Sequence, residues 1–324
     1  MNRLALLVPL LVALVCPLFI ASKTDEPKKV VFIAGNRSHS SGEHEFNAGC
    51  HVLAKALNEQ SGLNVEAVVL RADWPKKHKD VLLEADTVVI YCDATSAHAG
   101  EWEFLDKLAK KGVGMVFMHY AVHPSKQIGE NYYRPWIGAA MEDDYSVNPH
   151  WVADLQITKD HEIGNGVPDG ITCLDEWYYH MRFIPERGKV LDLITAVPTR
   201  ENMHRYINMW NQNGVDGLGK PQTLMWGYER PNGGRGIGFT GGHYHHTWAL
   251  DGVRKTVLNA IVWSAGMKVP KDGVKSKALT EDGFNANLDD YGDKTKRLKL
   301  PDPADWKKLP PAKVNTKREE GFRK

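Results

Sequence analysis

Cysteine is scarce in this chain: four residues among 324, none arranged as CxxC. That excludes a disulfide-stapled scaffold, so the fold must rest on a buried core. An excess of one charge is lacking too, since 41 lysines and arginines face 40 aspartates and glutamates. The balance argues against nucleic acid or an anionic membrane as partner and points to a small neutral or mixed-polarity ligand. HExxH and the other strong metal signatures are missing, and so are internal repeats. The one long apolar run, Leu4 to Ile20, is short for a membrane span and is interrupted by Pro9 and Pro17. Arg3 before it, with Ala21 and Ser22 after it, gives the pattern of a secretory signal peptide over residues 1–21. Export to the periplasm or the medium is therefore expected, with no membrane attachment after cleavage. Cys50, Cys92 and Cys173 then remain, an odd number in apolar surroundings, and read as buried thiols.

What the chain does have is core-forming material, with 42% hydrophobic residues and ten tryptophans. From Lys29 onward, short β-branched runs alternate with amphipathic stretches: KVVFIA, FNAGCHVLAKALNEQ, VEAVVL, DTVVIY, EWEFLDKLAKKG, GMVFM. Near-continuous apolar strands separated by helical periods predict an α/β fold with a mainly parallel sheet covered on both faces. Residues 132–213 are less regular, with WVADLQI and VLDLITAV as strands among Pro/Gly-rich loops. Leu250, Val253, Val257, Leu258, Ile261 and Val262 then recur at helical spacing, with Asp251 at the start and Gly266 just past the end. Residues 268–324 are polar, lysine-rich and punctuated by proline, the composition of an extended tail.

In open parallel α/β sheets, ligands bind outside the carboxyl ends of the strands. Histidines gather at those places here. GNRSHSSGEHEF follows the first strand with His39, Glu43 and His44; Asp93 follows the third; His119, Tyr120 and His123 follow GMVFM; His243, His245 and His246 follow RGIGFT. Separate segments, each polar where its strand ends, are expected to converge on one pocket. His119 ends an apolar strand, where a tight strand-to-helix turn would present a catalytic group. In TGGHYHHTWA an extended backbone would put His243 and His245 on one face and His246 on the other, an arrangement able to chelate a metal or bracket a sugar ring. DEWYYHMRF, if extended, aligns Glu176, Tyr178 and His180 on one face and adds Arg182. A carboxylate near imidazoles is the minimal apparatus for acid/base work. Trp226, Tyr228 and Trp248 could stack on a sugar face or belong to the core.

Taken together, KVVFIAGNRSHSSGEHEFNAG, KKGVGMVFMHYAV, DEWYYHMRF and MWGYERPNGGRGIGFTGGHYHHTWALDGVRKTVLNAIVWSAG, in this order and spacing, resemble the ThuA-like family, named after a trehalose-utilisation protein. The likeness spans residues 29–267. It implies a flavodoxin-like, class I glutamine amidotransferase-like three-layer sandwich. It also implies a role in sugar catabolism, often beside oxidoreductases that make 3-keto sugars. His39, the GEH segment, His119, Glu176 and His243 match the family's polar positions. Where an amidotransferase carries its nucleophilic cysteine this chain has His119, which excludes glutamine hydrolysis by that route.

The leading expectation is an exported enzyme acting on a sugar or keto-glycoside by proton transfer, with His119 and Glu176 as acid/base groups. Substrate contacts are expected from His39, Glu43, His44, Tyr120, Tyr178, Arg182, Trp226, His243 and His245. A divalent metal such as zinc would draw on His44, His243 and His245, and a metal-dependent hydrolase of glycosides or esters is the first alternative. A non-catalytic carbohydrate-binding protein is the second.

Overall fold

The computed structural model describes residues 26–71, 76–93, 101–205 and 211–312, so the signal-peptide segment lies outside the described residues. The N-terminal half follows the expected alternation: β1 (Lys28–Ala34), α1 (Phe46–Glu59), β2 (Val65–Arg71), β3 (Thr87–Tyr91), α2 (Trp102–Lys110) and β4 (Gly114–Met118). After it come β5 (Ala139–Ala140), β6 (His150–Ile157), β7 (Ile171–Asp175), β8 (Arg182–Phe183), β9 (Val190–Ala196) and β10 (Met203–Arg205). The chain then adds β11 (Gln222–Glu229), β12 (Arg235–Phe239) and α3 (Asp251–Ser264). The main sheet runs β10-β6-β9-β11-β12-β4-β3-β1-β2, with β7 paired on β6 and β5–β8 a separate two-stranded ribbon.

Strands β2, β1, β3, β4 and β12 are parallel to one another, whereas β11, β9 and β6 alternate in direction. Residue alternation explains the layering. Val30, Phe32 and Ala34 enter one buried cluster with residues of α1 and α3, while Val31 and Ile33 enter a second with residues of α2. Strands buried on both faces read as continuous apolar runs, which is why these were legible in the sequence. The result is the expected three-layer α/β sandwich around a mainly parallel sheet. Cys50, Cys92 and Cys173 are buried within it, as expected.

Helix α1 lies close against the sheet because Gly49 has no side chain. A Cβ there would stand 2.6 Å from Trp248 Nε1 and 2.7 Å from Tyr91 Cε1. Glycine to alanine in a helix ordinarily gains about 1 kcal/mol. Here overpacking of about 1–3 kcal/mol outweighs that gain. Gly49→Ala is therefore expected to lower the urea midpoint of unfolding, and an unchanged or higher midpoint would contradict this packing.

Residues 268–312 are not the free tail their composition suggested. Val269, Val274 and Trp306 enter the main core, Phe284 is buried, and Asp289 is buried in an ion pair with Arg71. The Asp289 amide donates to Glu45 at 2.7 Å, and the Ala312 amide donates to the Met203 carbonyl at 2.7 Å. The segment is a docked strap with little regular structure. Its apolar anchors are spaced too irregularly to produce a period.

Candidate metal centre

An antiparallel strand presents its first residues at the edge where parallel neighbours present their last. The loops after β1, β3, β4, β7 and β12 and the start of β6 therefore open on one side of the sheet. Two backbone contacts zip the first and last of these loops together: the His44 amide donates to the His243 carbonyl at 2.8 Å, and that of His245 to the Gly42 carbonyl at 2.9 Å. His44 and His119 both adopt left-handed backbone, with φ of 50° and 54°. That costs of order 1–3 kcal/mol for a residue other than glycine and is sustained only where the surroundings hold it.

His44, His119, Glu176 and His243, all buried, aim one ligand atom each at a common point, with those atoms within 4.8 Å of one another. His44 Nε2 lies 3.0 Å from His119 Nε2 and 3.1 Å from His243 Nδ1. Glu176 Oε2 lies 3.0 Å from His243 Nδ1 and 3.4 Å from His119 Nε2. The far nitrogens are committed. His44 Nδ1 faces Asp93 Oδ1 at 3.1 Å, and His119 Nδ1 faces the Thr240 carbonyl at 2.9 Å. Carboxylate and carbonyl oxygens only accept, so both Nδ1 atoms donate. In the neutral form of each ring, the lone pairs of His44 Nε2 and His119 Nε2 then point at one another across 3.0 Å. A cation between them resolves that repulsion.

Burial pushes His44 down to about 3 despite the raising effect of Asp93, so this ring is neutral near pH 7. For His243, burial lowers the pKa, but hydrogen bonds to Glu176 and Glu43 outweigh it and raise the ring to about 9. Glu43 is held at about 2, chiefly by its hydrogen bond to His243. Burial opposes ionisation of Glu176, yet its bonds to His119 and His243 keep it well below the usual carboxylate range.

Asp175 is the buttress. It is fully buried; Oδ1 accepts from the amides of Glu176 at 2.8 Å and His243 at 2.9 Å, while Oδ2 accepts from the Gly242 amide at 2.7 Å and from the Thr247 hydroxyl. One carboxylate thereby fixes the backbone that carries two members of the cluster.

Above the cluster lies a cavity of about 290 Å³, lined by His39, Glu43, His44, Tyr120, His123, Asn148, His150, Glu176, Tyr178, Arg205 and His243. Of the residues singled out in the sequence, His39, Glu43, His44, Tyr120, Tyr178, Glu176 and His243 line it, with His119 beneath. Three of the expected substrate contacts, Arg182, Trp226 and His245, do not reach it. Arg182 pairs with Glu142 at 3.1 Å through Nε and Nη2 and lies over the Tyr145 ring, outside the cavity. Trp226 is fully buried in the core with Nε1 donating to the Ile137 carbonyl at 2.7 Å, and Trp248 is core as well. His245 turns away, its Nε2 against the Phe284 carbonyl at 2.9 Å, because the chain enters a 3₁₀ turn over His245–Ala249 instead of staying extended. The shared face expected for His243 and His245 is lost for that reason. His180 is also redirected, with φ of 56° and its ring against Tyr145.

His150 was missed. It lines the cavity, with Nδ1 2.8 Å from the Tyr244 hydroxyl and Nε2 3.6 Å from Glu176 Oε1, and burial lowers it to about 3. It stands at the start of β6, whereas the other cavity histidines follow strand ends. The signal available was NPH ahead of WVADLQI, together with the possibility that this strand runs antiparallel.

Fold and site thus define an α/β protein with a buried three-histidine, one-glutamate cluster at the strand ends of its sheet. Residues 29–264 match the family described as ThuA, trehalose utilisation, and the chain belongs to that family. Among solved structures, a ThuA-like protein from Bacteroides uniformis is similar at 15% identity and a TM-score of 0.55, covering 76% of this chain and 95% of its own. Another from Parabacteroides merdae gives 18% identity and a TM-score of 0.52, covering 80% and 99%. PurLQS from Thermotoga maritima overlays at 11% identity with a TM-score of 0.38, covering 74% and 97%. No curated protein matches the chain.

Proposed function

We propose that this protein is an exported, metal-dependent enzyme of sugar catabolism that acts on a sugar or keto-glycoside. The observation that carries the reading is the pair of imidazole nitrogens facing at 3.0 Å with both opposite nitrogens committed as donors. Donors about 2.0–2.1 Å from one zinc ion in a regular tetrahedron stand about 3.3 Å apart; here four of the six donor separations run from 3.0 to 3.4 Å and all six lie within 4.8 Å. Asp93 and the Thr240 carbonyl supply the outer contacts that orient ligating histidines. Three nitrogens and one carboxylate suit a divalent first-row ion such as zinc. His44, His119, His243 and Glu176 hold the ion in this reading.

Such an ion polarises a carbonyl or hydroxyl oxygen, or acidifies a bound water. His119 and Glu176, turned into the cluster, then serve as ligands in place of the acid/base roles expected from sequence. Proton transfer falls to cavity groups outside the ligand set. His150 is neutral and backed by Tyr244, Glu43 is ionised, and His123 is oriented by Asp143 at 2.8 Å. His39, Tyr120, Tyr178, Asn148 and Arg205 offer a polar lining to a polyhydroxylated ring. The cavity volume sits near the lower end of the ~300–1,000 Å³ typical of small-molecule sites.

In the metal-free chain a proton on His243 supplies the cation, so metal and proton compete for one place. With His243 at about 9 the ring is charged at pH 7.5. Zinc uptake by apo protein at pH 7.5 is expected to release about one proton, and affinity is expected to fall as pH is lowered. Calorimetry in buffers of different ionisation enthalpy measures both. Elemental analysis after dialysis against zinc, manganese, cobalt or nickel tests the reading directly. About one ion per chain is expected, and none with any of the four would overturn it.

A further inference from the structure

We propose that Arg205 makes the cavity a site for a carboxylated sugar, a uronic acid or its glycoside, with the guanidinium holding the carboxylate at the end of the ring away from the cluster; this rests on the reading of the cavity as a sugar site. Among the described residues, Arg205 is the one lysine or arginine of that lining. It is exposed and makes no hydrogen bond or ion pair among the described residues. The two acids of the lining are engaged elsewhere, Glu176 with His119 and His243 and Glu43 with His243. The charge of Arg205 is thus available to a ligand.

A backbone irregularity puts it there. Edge strand β10 pairs antiparallel with β6, Met203 opposite Trp151 and Arg205 opposite His150, so two steps along β10 match one along β6. Residues directly opposite one another share a face of the sheet. Met203 and Trp151 accordingly enter the core together, whereas Arg205 and His150 both line the cavity. Without the extra residue, His204, strict alternation would return Arg205 to the face of Met203. Bulges re-aim side chains in this way beside active sites. The strap also holds β10, since the Ala312 amide donates to the Met203 carbonyl at 2.7 Å.

The wall runs in order from the cluster outward. His150 Nε2 is 3.6 Å from Glu176 Oε1, and Arg205 stands next to His150 across the strand pair. Burial sets the low pKa of His150 and the high one of Tyr244, and the Arg205 charge reaches both as a smaller, lowering influence. A pyranose laid along this wall places ring oxygens at the cluster and an exocyclic carboxylate at the guanidinium. The planar fork of an arginine matches the two carboxylate oxygens bidentately. One guanidinium balances one negative charge, whereas a phosphate dianion would leave a further charge in a cavity shared with ionised Glu43.

Calorimetry on the zinc-loaded full chain tests it, with methyl β-D-glucopyranosiduronate set against methyl β-D-glucopyranoside, which differs only at the exocyclic carbon. The glucuronide is expected to bind about tenfold more tightly, the weight of a charge-assisted pair. That preference is expected to shrink as salt is raised, because Arg205 is exposed. Arg205→Gln is expected to bring the ratio of the two affinities to about one, and Arg205→Lys, a point charge without the fork, to keep part of it. An unchanged melting temperature verifies the fold of both variants. Equal binding of the two sugars to wild type overturns the carboxylate subsite while the cavity reading stands. So does a preference that survives in Arg205→Gln, since the carboxylate would then sit on the metal. Binding of neither sugar to wild type overturns the cavity reading and the subsite with it.

Discussion

His119→Gly is expected to lose the metal. Glycine adopts the left-handed φ of 54° at this position without the strain histidine carries there, so the substitution removes the imidazole with little cost to the backbone. Structural zinc binding is worth about 10–16 kcal/mol, so one of four ligands carries about 3 kcal/mol, or about a hundredfold in affinity. Wild type is expected to gain stability on adding zinc, about 4 kcal/mol at a thousandfold excess over Kd. The variant is expected to show neither that gain nor stoichiometric metal after dialysis, with turnover reduced to background. Circular dichroism should match wild type. Full metal occupancy in a folded His119→Gly protein would remove this histidine from the ligand set and leave it an acid/base candidate.

Asp175→Asn is expected to give the largest loss of stability among single-atom changes at the site. The native carboxylate accepts from three amides and one hydroxyl while fully buried. An asparagine must turn its NH₂ toward either the Gly242 or the His243 side, setting donor against donor. Hydrogen bonds to a buried charge are worth about 1.5–3 kcal/mol, and a donor left unsatisfied adds about 1–3 kcal/mol. A total of about 3 kcal/mol or more follows. Because Asp175 positions both Glu176 and His243, metal affinity is also expected to fall about 10–100-fold, as for other outer contacts of metal sites. Urea unfolding with and without zinc separates the two effects. Lower stability with unchanged zinc affinity would make Asp175 a purely structural acid.

Much of the fold was legible in the sequence because its cause is local. Buried parallel strands require continuous apolar runs, and KVVFIA, DTVVIY and GMVFM sit in β1, β3 and β4 within a residue or so of their ends. The 3.6-residue period of α3 was equally plain, and the rule that ligands gather at strand ends brought out His44, His119 and His243. Two kinds of residue escaped. His150 reaches the cavity only because β6 runs antiparallel, and strand direction is a property of pairing that no local pattern encodes. Asp175 is silent for a related reason, since its four donors come from residues 176, 242, 243 and 247.

The errors share a source as well. His245 and His180 are placed by assuming that period-two alternation continues, and a 3₁₀ turn and a left-handed residue end it. Trp226 carries no mark that separates a sugar platform from a core tryptophan, because both bury the same ring. The strap was misjudged because its apolar anchors are few and far apart along the chain, and its polar contacts are with residues remote in sequence.

By itself, then, the sequence determined the layers of the sandwich, the order of its elements and which loops carry imidazoles, since each follows from short-range periodicity and side-chain type. The tertiary structure alone decided that three of those imidazoles meet Glu176, that Asp93, Thr240 and Asp175 orient the cluster, and that the polar C-terminal segment docks on the core. Those are matters of distances between residues remote in sequence, set by strand direction and backbone turns summed over the whole chain.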